Sequence, residues 1–178
     1  TPLGWPAFRR EVRRLARREA LLLALSATAL AAHFGTWITS LSYTTVASSV
    51  ILVTTTPIYV ALASRFLWRE RISRTRGLAI AVAMAGSVII SYGDLAISGR
   101  ALLGDALAVL GALAMAAHLL LGRTLRRRLS TWAYVWPCYG LAGLLLMAIC
   151  LATGQPVVGF ERGTYVALVL LALVPQVL

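Results

Sequence analysis

The chain has 178 residues, of which 60% are apolar and only 13% charged, with a formal net charge of +11. That composition excludes an ordinary soluble domain, in which about a quarter of residues are charged. It does not point to nucleic acid either, because the basic residues are all arginines, most of them in short clusters instead of a stripe on one polar face.

Fifteen of the seventeen arginines fall in three clusters, Arg9 to Arg18, Arg65 to Arg76 and Arg123 to Arg128. The segments that alternate with them are long enough to cross a bilayer, which takes about 20 mostly apolar residues. In chain order these are Ala20 to Thr39, Thr45 to Leu67, Gly77 to Tyr92, Ala101 to Leu121, Thr131 to Thr153 and Tyr165 to Leu178. The expected fold is therefore an all-α integral membrane protein, a polytopic bundle with about six transmembrane helices. Every second loop is basic, so the positive-inside rule places the three clusters on the cytoplasmic side of the inner membrane, with Arg100 and Arg162 outside. Trp68, Trp132, Tyr134 and Trp136 lie beside the clusters, where aromatic rings meet headgroups. Phe8, Val12 and Leu15 are spaced for an interfacial amphipathic turn or a solvated helical extension. No signal-peptide pattern is visible. The loop-like start at Thr1 and the stop at Leu178 inside an apolar run suggest a piece of a longer protein.

Polar groups inside a span are costly and should face a partner helix or a water-filled cavity. Ser26, His33, Trp37 and Ser40 share one face of the first span, and Thr45, Ser49, Thr56 and Tyr59 share one face of the second. His33 lies about 20 Å along its helix, past the midplane. It is either a substrate or proton site or a neutral imidazole bonded to an adjacent helix. Pro57 removes an amide donor and strands the carbonyl of Val53, and the hydroxyls of Thr54, Thr55 and Thr56 are placed to answer it. The result is either a midplane break of the kind carriers use for substrate or a static kink.

Small residues recur every four positions at Gly104, Ala108, Ala112 and Ala116, and again at Gly77, Ala81 and Ala85, which predicts close helix packing. His118, near a cytoplasmic helix end, is expected to be satisfied by water or a headgroup. Pro137 with Gly140 and Gly143 is a second kink candidate. Cys138 and Cys150 are about 18 Å apart along one helix and read as small apolar residues without a disulfide. The carboxylates, Asp105 among them, all flank the spans in this reading. Proton coupling, if it operates, then rests on His33 or on helices outside this sequence. No catalytic, cofactor or metal motif is found, so an enzyme is not expected.

The stretch Ser42-Tyr43-Thr44-Thr45-Val46-Ala47-Ser48-Ser49, then Pro57, then Glu70-Arg71-Ile72 and Arg76-Gly77, resembles the EamA-type permeases of the drug/metabolite transporter superfamily. Gly104-Asp105-Ala106-Leu107, followed by Ala116 and Gly122-Arg123, is similar to the opening of that family's second half. The resemblance implies a ten-helix inverted-repeat transporter, of which this chain would supply helices three to eight. Residues 1–94 would end the first repeat, and residues 101–178 would begin the second. It also implies a cavity lined by His33, Trp37, Thr55, Thr56, Pro57, Met115 and Gln176, which moves a small metabolite such as an amino acid or amphipathic compound, most simply by efflux. Two departures stand out: Arg69 replaces the family's usual glycine before Glu70, and Met115 and His118 stand where aromatic residues are common. Glu70 is expected to pair with Arg74 one turn on and to hold or gate the cytoplasmic loop. A non-transporting scaffold or accessory subunit remains the alternative.

Overall fold

The computed structural model is all-helical, and it describes residues 10–13, 15–70, 73–95 and 99–177. Its helices are α1 (Arg17–Ser40), α2 (Val46–Val53), α3 (Thr56–Trp68), α4 (Arg74–Leu95), α5 (Gly99–Leu125), α6 (Thr131–Ala152) and α7 (Arg162–Val177). By length and hydropathy, α1, the α2–α3 pair, α5 and α6 can each cross a membrane, and α4 carries the shorter apolar stretch Gly77–Gly86. The six expected segments are all helical, and the second is broken where Pro57 predicts a break. Phe8 lies outside the described residues, but residues 10–13 do form a helical turn.

The chain divides into two compact units, Thr1–Leu145 and Leu146–Leu178. In the first, α5 is the hub: it packs most extensively on α1 and also meets α2, α3 and α4. Its composition explains this. Gly104, Ala108, Ala112 and Ala116 are all buried, so four turns of backbone can be approached closely. The facing side of α1 is Leu23, Ser26, Ala27, Leu30 and Ala31, also buried. The second expected stripe does not pack among the described residues. Ala81 and Ala85 are exposed on α4, and a side chain at Gly77 would meet open space.

Helix ends are fixed by specific polar contacts. The Glu19 carboxylate accepts from the Ala16 amide at 3.0 Å at the start of α1. Thr45 caps α2 by accepting from the Ser48 amide at 3.1 Å. Glu11, from the N-terminal turn, accepts from the Ser130 amide and hydroxyl at 2.6 and 2.8 Å, while Ser130 caps α6 through the Ala133 amide. That acid ties the first described residues to the mouth of the α5–α6 loop.

In the second unit, Gly154 adopts φ +68, a left-handed conformation that lets α6 end, and the Gln155 amide closes on the Cys150 carbonyl at 2.9 Å. The Gly159 amide donates to the Tyr165 hydroxyl at 3.1 Å, fixing the entry to α7.

The end of α3 bears on one departure noted in the sequence. Arg69 is the C-terminal cap with φ 54 and ψ 28, and the Glu70 amide reaches back to the Ser64 carbonyl at 3.5 Å. This is a left-handed turn that suits glycine, and a side chain there costs about 1–2 kcal/mol. Arg69→Gly is therefore expected to raise stability by about 1 kcal/mol, read by thermal unfolding in detergent micelles. An unchanged or lowered midpoint would count against this account of the cap.

Candidate functional site

The break between α2 and α3 is built by Pro57 and repaired by its neighbours. Thr54 and Thr55 sit at ψ −4 and −3, well off the usual helical value, so the amides of Thr55 and Ile58 reach carbonyls three residues back, at 3.2 and 2.8 Å. Proline cannot donate to Val53, and the Thr56 hydroxyl does so instead, at 2.8 Å. Thr54 and Thr55 similarly bond the carbonyls of Ile51 and Leu52. The backbone thus departs from a regular helix at membrane depth without leaving its own carbonyls bare.

Beside the break lies an open cavity of about 410 Å³. Thr54, Thr55, Pro57 and Ile58 line one wall, and Ala79 and Ile80 of α4 line the other. Its surface is largely apolar with the threonines as polar points, a composition that suits a small or amphipathic molecule.

Of the expected cavity residues, Thr55 and Pro57 are brought together there. Thr56 turns to α5, where its hydroxyl also reaches the Ala112 carbonyl at 3.4 Å. His33 is buried in the α1–α5 seam and its Nδ1–H donates to the Gly111 carbonyl at 2.9 Å. That is the helix-bonded reading of the imidazole. Trp37 stacks on His33 with ring centroids 5.6 Å apart. Met115 is half-buried on α5 and lines neither cavity described here. Gln176 is on α7, and its side chain lies outside the described residues.

Two acids stand differently from the expectation. The partner seen for Glu70 among the described residues is Arg123 of α5, where Arg74 was expected, and the Arg123 guanidinium also lies 4.7 Å from the Trp68 ring centroid. The reason is local: Glu70 sits in the loop before α4, outside any helix, so one-turn spacing does not apply. Asp105, expected at the edge of its span, is 2% exposed in the second turn of α5, where its Oδ1 accepts from the Thr44 hydroxyl at 2.9 Å.

Sequence reasoning also missed a buried polar cluster. His118 Nδ1–H donates to the Ser26 carbonyl at 3.1 Å and stands 3.0 Å from its hydroxyl, while the Tyr134 hydroxyl is 2.8 Å from the same oxygen. Cys138 donates to that hydroxyl at 3.7 Å. His118 is thus satisfied by α1 and α6, where water or a headgroup was expected. Ser26 on the polar face of α1 was the one visible signal.

Apolar membrane-length helices, small-residue packing and a proline-broken helix opening on a cavity define a polytopic membrane helix bundle of the transporter type. The model of the EamA-like transporter family matches residues 2–92, just over half the chain, and the chain belongs to that family of drug/metabolite permeases. Comparison with curated proteins and with solved structures gives no match.

Proposed function

We propose that this chain forms helices three to eight of a ten-span permease that exports a small metabolite, an amino acid or amphipathic compound, by alternating access. The observation that carries this is the Pro57 break opening on a cavity: a backbone already released from regular hydrogen bonding can change its angle at little cost. Thr55 and Pro57 form the polar and hinge elements of the site, and His33 and Trp37 hold the seam behind it. The arginine distribution supports placement in the inner membrane with the basic loops cytoplasmic. Proton coupling, where it operates, rests on His33, on Asp105, which is buried in α5, or on helices outside this sequence.

The test is thiol access in the full-length protein carrying Cys138→Ala and Cys150→Ala. Thr55→Cys is expected to react with a small water-soluble thiol reagent and to lose flux on modification, while Trp37→Cys reacts slowly. If Thr55→Cys stays unreactive and flux is unchanged, the break is a static kink and the scaffold reading takes over.

A further inference from the structure

A second cavity, of about 510 Å³, lies where α5 ends and α6 begins. Its walls include Arg123, Arg126 and Arg127 together with His118, Tyr134 and Tyr139. Charge and aromatic surface therefore converge on one concavity, apart from the Pro57 site.

The arginines are not equivalent. Arg123 is committed to Glu70 and Trp68, and Arg128, which does not line the cavity, lies 3.8 Å from Glu19. Arg126 and Arg127 have no carboxylate partner among the described residues, and both are exposed. The aromatic wall, by contrast, is fixed from behind. Ser26 holds both His118 and Tyr134, and Gly122 lets the tyrosine lie so close that an added Cβ would stand 2.6 Å from its hydroxyl. The cavity thus has a rigid aromatic floor and two free guanidiniums at its rim.

Its depth is set by Trp132 and Trp136, 54% and 64% exposed on the first turns of α6. Exposed indoles at a helix end belong at headgroup level. Further along α6, Tyr139 of the cavity wall and then Leu144 are both exposed.

We propose that this cavity binds a phosphate group, presented by an anionic phospholipid of the leaflet on the basic side. Arg126 and Arg127 supply forked donors to the phosphate oxygens. The acyl chains run along the exposed face of α6. Basic pockets between membrane helices hold lipid headgroups by the same physics. The site would anchor the α5–α6 loop to the bilayer, and it does not depend on which substrate is moved.

The test is native mass spectrometry of full-length protein taken from nanodiscs of phosphatidylglycerol or of phosphatidylcholine alone. Wild-type protein should retain phosphatidylglycerol, and the R126A/R127A variant should retain about 30-fold less, at about one factor of five per arginine. The variant must elute as a monodisperse species, and R126K/R127K, which keeps charge but loses the fork, should fall between the two. Displacement of the retained lipid by glycerol 3-phosphate would keep the phosphate site and assign it to soluble phosphate esters. Equal retention by R126A/R127A, or equal retention of the two lipids, would overturn the proposal. Because no flux is measured, its failure is separate from failure of the transport reading.

Discussion

Replacing Gly104 by alanine is expected to destabilise the folded bundle by about 2–3 kcal/mol, the upper range for an overpacked core site. The added Cβ would stand 2.7 Å from both the backbone nitrogen and the Cβ of Thr44, and 2.9 Å from its Cγ2. Backbone cannot swing aside as a side-chain tip can, so α5 must retreat from the α1–α2 loop. That retreat also stretches the bond from the Thr44 hydroxyl to Asp105, whose carboxylate is buried where lost partners are costly. Gly111→Ala is the matched control. There the nearest atom is the Thr36 hydroxyl oxygen, at 3.1 Å, a rotatable group, and the expected loss is under about 1 kcal/mol. Thermal unfolding of both variants in micelles decides the matter: equal midpoints, or an unaffected Gly104→Ala, would show that the loop does not bear on α5 as described.

This contact also gives a physical reason for the Gly104-Asp105 pair that the family resemblance singled out. The glycine admits the loop and the acid fastens it. Neither role was readable from the sequence, because Thr44 and Asp105 are 61 positions apart and only the packing of α1 on α5 brings them together. The same holds for Glu11 and Ser130, 119 positions apart. By contrast, the helices and their break were legible, since apolar length, arginine placement and proline act over a few turns of chain.

His33 shows where one-dimensional reasoning runs out. Periodicity places it on a polar face with Ser26, Trp37 and Ser40, of which all but the half-buried Trp37 are buried on α1, but periodicity does not say what covers them. The cover is α5, whose glycine at position 111 lets a backbone carbonyl come within reach of the imidazole. The Pro57 region went better because its chemistry is local: the missing donor, the stranded Val53 carbonyl and the answering hydroxyl lie within five residues. Thr56 was foreseen as part of that repair, yet its second bond, to Ala112, again required α5.

That repair yields the sharpest double substitution. Thr56→Val keeps shape but removes the hydroxyl that serves Val53, leaving a buried carbonyl without a donor in a setting where water cannot substitute. The expected cost is about 2 kcal/mol. Pro57→Ala supplies the missing backbone donor, because the amide of residue 57 in a regular helix reaches the carbonyl of residue 53. In the Thr56→Val background it should therefore recover about 1–2 kcal/mol, and that recovery is the coupling between the two sites. Alone, Pro57→Ala should leave stability unchanged or raised while lowering flux, since Thr54 and Thr55 can then relax into continuous helix and close the break beside the cavity. Transport thus falls in one variant without a loss of stability, which a residue of purely structural importance would not produce. If Thr56→Val costs the same with proline or alanine at position 57, the hydroxyl does not stand in for the lost amide. If Pro57→Ala transports like wild type, the break is not the hinge.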